Sequence, residues 1–158
     1  MTIVAALMTP EGVWMGADSL ATDADLRISS TSPKVAKFAN FLLGFAGQYG
    51  PGQAFLKAAK ENPKYTIQSL VRNVKVSSTD WTLLCADKSG VYEIDGGRGI
   101  LRMKKREGCA YGAIGSGTAV ALGSLYAWHD SEEALRTALK AAAEHTNRVR
   151  APFRIVSL

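Results

Sequence analysis

Short apolar runs alternate along the chain with polar breaks marked by glycine or proline, and the period of each run predicts an element. Ile3 to Met8 is continuously apolar, Thr9-Pro10-Glu11-Gly12 has the text of a turn, and Val13 to Ala17 returns apolar. A short apolar run between turn signals reads as a buried strand, so these segments predict a hairpin. Ser19 to Pro33 is polar and rich in Ser, Thr and Asp, which predicts a loop or a weak edge strand. Val35 to Phe38 and Phe41 to Phe45 predict a strand pair turning at Asn40, broken by Gly44, Gly47, Gly50, Pro51 and Gly52. Helical spacing follows from about Gln53 to Lys60 and again from Ile67 to Val74. Trp81 to Ala86 and Val91 to Ile94 flank Asp87-Lys88-Ser89-Gly90 as a hairpin. Cys109 to Ile114 predicts a strand ended by Gly115-Ser116-Gly117, then a helix from about Thr118 to Trp128. A further helix opens with Asp130 and Glu133 at capping-box spacing. It carries Leu135, Ala138, Leu139 and Ala142 on one face, and Phe153 to Val156 is a last strand.

Hairpins separated by paired helices predict an α+β layered sandwich. With 158 residues and no repeat or linker-like stretch, residues 1–158 read as one domain. The composition, 47% apolar and 21% charged, is globular, and a chain of this length needs no staples. Two distant cysteines, Cys85 and Cys109, argue against a disulfide framework and point to a reducing, cytoplasmic compartment. No apolar run reaches the roughly 18 residues of a membrane span, and the apolar start is too short for a signal peptide. The net charge of +5 is mild. Lys104-Lys105-Arg106 has no interleaved aromatics, so it reads as a solvated loop or subunit contact, not a nucleic-acid site. His129 and His145 read as surface residues without a metal-ligand pattern.

The chemistry begins at Thr2. A small second residue permits removal of Met1, and an amino-terminal threonine then carries its own base. The free α-amine has a pKa of roughly 7.7–8, near the working pH of a general base. Fifteen residues separate Thr2 from Asp18, and fifteen separate Asp18 from Lys34. Both charges stand at the edge of apolar runs, where they are expected to be half-buried and paired. A Lys ammonium about 4 Å from the amine interacts with it by up to roughly 4 kcal/mol at an effective dielectric of 20, favouring the neutral amine and a developing alkoxide. An ordinary ion pair at a sheet edge would have the same spacing. The text Gly44-Phe45-Ala46-Gly47 and Ala113-Ile114-Gly115-Ser116-Gly117 fits two tight turns, and also fits backbone N–H groups aimed at an oxyanion.

Taken in order, Thr2-Ile3-Val4, Gly16-Ala17-Asp18-Ser19-Leu20-Ala21-Thr22, Lys34-Val35, Gly44-Phe45-Ala46-Gly47 and Ala113-Ile114-Gly115-Ser116-Gly117 resemble the proteasome β-subunit family of amino-terminal-threonine peptidases, in particular its bacterial HslV-like branch. The resemblance implies the four-layer αββα sandwich of the Ntn hydrolases. It implies Thr2 as nucleophile and base, Lys34 as the charge that tunes it, Asp18 as the partner of Lys34, and Ser116 as a hydrogen-bonding aid to proton movement. It assigns the oxyanion to a backbone N–H of Gly47 rather than Gly44. A substrate pocket would be lined by Ala21, Ser32, Ala36 and Leu42. On this reading, Lys34→Ala should cost activity with little change in melting temperature.

Many family members carry an Asp near the end of the last long helix, where this chain has Thr146; the HslV-like branch also lacks it. That branch can bind sodium through backbone carbonyls, here those of Ala143, Thr146 and Val149, and no other cofactor is implied. The substrate would be unfolded polypeptide inside a homo-oligomeric ring of six or seven subunits, with rings stacked in pairs. The chain has no phosphate-binding GxxxxGK[ST] loop, so an ATP-dependent unfoldase would be a separate partner. Two rival readings stand beside this one. A silent ring-forming structural homologue would keep Met1, and a small-molecule amidase of the Ntn group need not assemble.

Overall fold

The computed structural model describes residues 2–23, 26–29, 33–147 and 149–158, with backbone alone for residues 20–23 and 26–29. The chain begins with β1 (Ile3–Met8), β2 (Val13–Asp18), β3 (Leu20–Asp23), β4 (Leu26–Ser29), β5 (Val35–Lys37) and β6 (Leu42–Gly47). Helices α1 (Tyr49–Glu61) and α2 (Ile67–Asn73) follow, then β7 (Trp81–Asp87), β8 (Gly90–Asp95), β9 (Ile100–Arg102) and β10 (Ala110–Gly115). The chain ends with α3 (Thr118–Ala127), α4 (Glu132–His145) and β11 (Phe153–Ser157).

Two antiparallel sheets, β10-β1-β2-β11 and β5-β6-β7-β8-β9, pack face to face. Strand β1 shows why its sequence is continuously apolar. Val4, Ala6 and Met8 face the other sheet, while Ile3, Ala5 and Leu7 face α3 and α4. A strand buried on both faces has no polar side to alternate with. In β6, Leu42 and Ala46 point between the sheets, and Leu43 and Phe45 meet Phe55, Leu56 and Leu70 of α1 and α2. The layers are therefore α3/α4, sheet, sheet, α1/α2: the four-layer αββα sandwich.

The differences from the sequence reading have local causes. Helix α1 starts at Tyr49, four residues before the spacing predicts. Pro51 falls in its first turn, where a missing N–H breaks no intrahelical bond, and Gly52 makes room for the Phe45 ring. Strand β9 has three exposed residues, so no burial period announces it. Part of the polar stretch after Ser19 forms the β3–β4 hairpin. Asp130 does not cap α4: Ser131 is the N-cap residue, and the Asp130 carboxylate accepts the Trp128 indole N–H at 2.6 Å. The capping box belongs to α2, where Thr66 and Ser69 bond reciprocally. His129 is half-buried, its ring 5.3 Å from that of Tyr111. Among the described residues, no helix is long and apolar enough to cross a membrane.

Candidate active site

Three strands converge where β1 begins. Asp18 closes β2 and Lys34 precedes β5, so each comes from a different sheet. The Lys34 ammonium lies 3.0 Å from Asp18 Oδ1, and the same oxygen accepts the Ile3 backbone N–H at 3.1 Å. One carboxylate oxygen thus ties the second sheet to the residue after Thr2. The pair is not half-buried as its strand-edge position predicts: the side chains of Lys34 and Asp18 are 7% and 0% exposed. Asp18 Oδ2 is buried without a hydrogen-bond partner among the described residues. Burial pushes the Lys34 ammonium below the ordinary lysine range, and the Asp18 charge and hydrogen bond pull the other way.

Thr2 is itself buried. Its carbonyl accepts the Ser116 N–H at 2.8 Å and the Ser116 hydroxyl at 3.2 Å. Ser116 therefore grips the backbone of Thr2. Gly115 makes that grip possible, because at φ +99 a Cβ there would lie 2.1 Å from the Thr2 carbonyl oxygen. In the sequence this glycine is only part of a glycine-rich string.

Gly47 ends β6 at φ +94 and is exposed, and the next N–H, of Gln48, donates to Asp80. The Phe45 N–H donates to the Lys34 carbonyl, which puts the Gly47 end of β6 at the same end of the sandwich as Asp18 and Ile3. Gly44 lies elsewhere. It sits inside the ladder opposite Val35 and Leu84, and a Cβ on it would strike Val4 and Met15 in the inter-sheet core. It is not positioned for an oxyanion. Leu42 is also misassigned: it is fully buried between the sheets and cannot line an open pocket. Ala36 borders a groove of about 600 Å³ between β5 and α1, with Phe38, Leu56, Lys57 and Lys60. Met1, Ser32 and the side chain of Ala21 lie outside the described residues.

At the C-terminal end of α4 the Thr146 hydroxyl donates to the Ala142 carbonyl at 2.7 Å. The Ala143 carbonyl is among the last four of the helix, which lack an intrahelical partner. Oxygen donors of this kind suit a hard cation.

No protein-family model matches the chain, and no curated protein matches it by sequence. Solved structures do match over its whole length. BPH from Thiobacillus denitrificans, solved in complex with epoxomicin, superposes with a TM-score of 0.76 at 17% identity, covering 99% of this chain and 97% of that one. HslV from Trypanosoma brucei gives 0.76 at 18%, covering 99% and 98%. The fold is that of the proteasome-like Ntn hydrolases. Anbu from Yersinia bercovieri shares this Ntn fold at a TM-score of 0.76 and 15% identity, covering 98% of this chain and 80% of that one. At such identities the likeness speaks for the proteasome-like fold, and any activity has to be argued from the residues at the β1 end.

Proposed function

We propose that the chain is a threonine-type endopeptidase whose nucleophile is Thr2, exposed by removal of the residue before it. The observation that carries this reading is the buried Lys34–Asp18 pair anchored to the Ile3 N–H, because it holds a cation beside the residue that would bear both hydroxyl and α-amine. A buried ion pair is a poor way to gain stability, so its place beside Thr2 favours a chemical role.

The α-amine of Thr2 would take the hydroxyl proton as Oγ attacks the scissile carbonyl. The Lys34 ammonium favours the neutral amine beforehand and the developing alkoxide during attack. Asp18 keeps that ammonium in place. The Gly47 N–H would donate to the oxyanion. Collapse of the tetrahedral intermediate breaks the C–N bond, the amine product leaves with the proton, and an ester joins Thr2 Oγ to the acyl group. Water, deprotonated by the same α-amine, then hydrolyses the ester and restores Thr2. Ser116 holds the Thr2 carbonyl, so the nucleophile cannot swing out of line. The carbonyl oxygens of Ala143, Thr146 and Val149 would hold a sodium ion, a structural charge near the end of α4.

The substrate would be unfolded polypeptide, and the protein would assemble as a homo-oligomeric ring fed by a separate ATP-dependent unfoldase, in a cytoplasmic setting. Fold kinship with HslV supports the assembly reading. Intact-mass analysis and fluorogenic peptides test the mechanism together. The expected result is a chain beginning at Thr2, cleavage abolished by Thr2→Ala with assembly intact, and one epoxomicin adduct per chain that Thr2→Ala removes. Undiminished cleavage by Thr2→Ala would sink the mechanism. A chain that keeps the residue before Thr2 and cleaves nothing would establish the silent ring-forming homologue instead.

A further inference from the structure

Lys34 stands opposite Phe45 across the β5–β6 pair, and directly opposed residues share a face. That face is covered by the first turns of α1. Gln53 of α1 donates from Nε2 to the Pro33 carbonyl at 3.2 Å, immediately before Lys34. Tyr49 is one turn earlier at i−4, hence on the same side of the helix as Gln53. The Tyr49 ring meets Phe45 edge-on, with centroids 5.9 Å apart and planes at 70°. Its outer side is in solvent, at 42% exposure, whereas Lys34 is buried. The phenol charge pulls the Lys34 pKa up, whereas burial, the larger effect, pushes it down. No feature of the sequence pattern marks Tyr49, because its partners lie on other elements.

We propose that Tyr49 is a positioning residue, a fixed lid that keeps water off the Lys34–Asp18 pair. The catalytic consequence rests on the peptidase reading; the shielding itself does not. A shielded ammonium acts on Thr2 through a low effective dielectric, while a hydrated one is screened. Among the described residues, the titratable groups facing Lys34 are Asp18 from β2 and Tyr49 from α1. Removing the ring admits water, relieves the desolvation of Lys34 and weakens its hold on the nucleophile.

The test is NMR titration of the full-length assembled protein with 13C-labelled lysine side chains, the Lys34 signal being assigned by its loss in Lys34→Arg. Tyr49→Ala is expected to move the Lys34 midpoint up by about one unit, towards ordinary lysine. Tyr49→Gln, a second ring-removing change, should do the same, and Tyr49→Phe, which keeps the ring and loses only the upward pull of the phenol, should not raise the midpoint. An unmoved midpoint in Tyr49→Ala and Tyr49→Gln overturns the lid, as does an upward shift in Tyr49→Phe as large as in Tyr49→Ala. With peptide substrate, Tyr49→Ala should lower kcat about tenfold with KM little changed and move the alkaline limb to higher pH, and Tyr49→Phe should restore kcat without moving the limb up. A wild-type protein without Thr2-dependent cleavage would remove the peptidase reading while the titration still decides the lid.

Discussion

Lys34–Asp18 joins the two sheets at 3.0 Å with both side chains out of water. Arg136–Glu132 lies along α4, with Nε donating to Oε1 at 3.1 Å and side chains 46% and 39% exposed. Chemistry and length are alike, but the surroundings are not. The α4 pair is an i,i+4 pair with the acid on the N-terminal side, the favourable orientation on a helix, and water screens it. The inter-sheet pair has given up hydration on both sides, and its attraction must offset that loss. A charge kept in the core at such a cost is where function is to be sought. The same charge on the helix face needs no explanation beyond solubility and a little helix stability.

Lys34→Ala should have the largest effect. From sequence the residue is half-buried and its loss nearly silent in stability; with the side chain buried, the expectation reverses. Removing one partner leaves the Asp18 carboxylate buried without its cation, which costs about 3–5 kcal/mol. For a chain of this size the melting temperature should fall by about 6–20 °C. The double change Lys34→Met with Asp18→Leu should recover only part of that loss: buried pairs are often replaceable by apolar residues, but the Ile3 N–H then loses its Asp18 acceptor. It should also abolish cleavage. A melt of Lys34→Ala unchanged from wild type would show that the pair is hydrated after all.

What the chain discloses before folding depends on whether a residue's partners are local or distant. The first hairpin is legible because Ile3 to Met8 is apolar at every position, and the pairing of Asp18 with Lys34 is legible because both charges stand at the edges of apolar runs. The direction in which β6 faces is not legible. Gly44 reads as a site residue in a glycine-rich string and Leu42 as one by resemblance, yet alternation turns both into the inter-sheet core. The start of α1 is hidden by Gly50, Pro51 and Gly52, residues that usually end elements and here begin one. Gly115 and Tyr49 are hidden for a further reason: their roles exist only once the Thr2 carbonyl and the Phe45 ring come beside them.

Alkaline titration should have an intermediate effect. The native pKa of Lys34 is lowered by burial, so between it and the unfolded value of about 10.4 the unfolded chain binds more protons. Stability contributed through Lys34 therefore rises with pH across that window. Below it both states are protonated and the full cost of burying the ammonium is present. The gain amounts to about 1.4 kcal/mol for each unit of lowering. Thermal melts should show wild type gaining on Lys34→Met as pH climbs through the window, while peptide cleavage falls as the ammonium is lost. A constant gap between the two proteins would mean that Lys34 titrates as it does in the unfolded chain.

The smallest effect belongs to the helix pair. Glu132→Gln keeps the side-chain length and removes the charge, so it should cost about 0.3–0.5 kcal/mol, the worth of an exposed i,i+4 pair. Glu132 also stands in the first turn of α4, where a negative charge meets the positive end of the helix dipole, which adds about 0.3–1 kcal/mol at low salt. Both contributions are screened within a Debye length of about 3 Å at 1 M salt. Melts at low and high salt should therefore show a small deficit for Glu132→Gln that vanishes in high salt, with cleavage unaffected throughout. The deficit of Lys34→Ala should survive the same salt, because ions do not reach a pair that excludes water. If both deficits faded together, burial would not be what separates the two pairs.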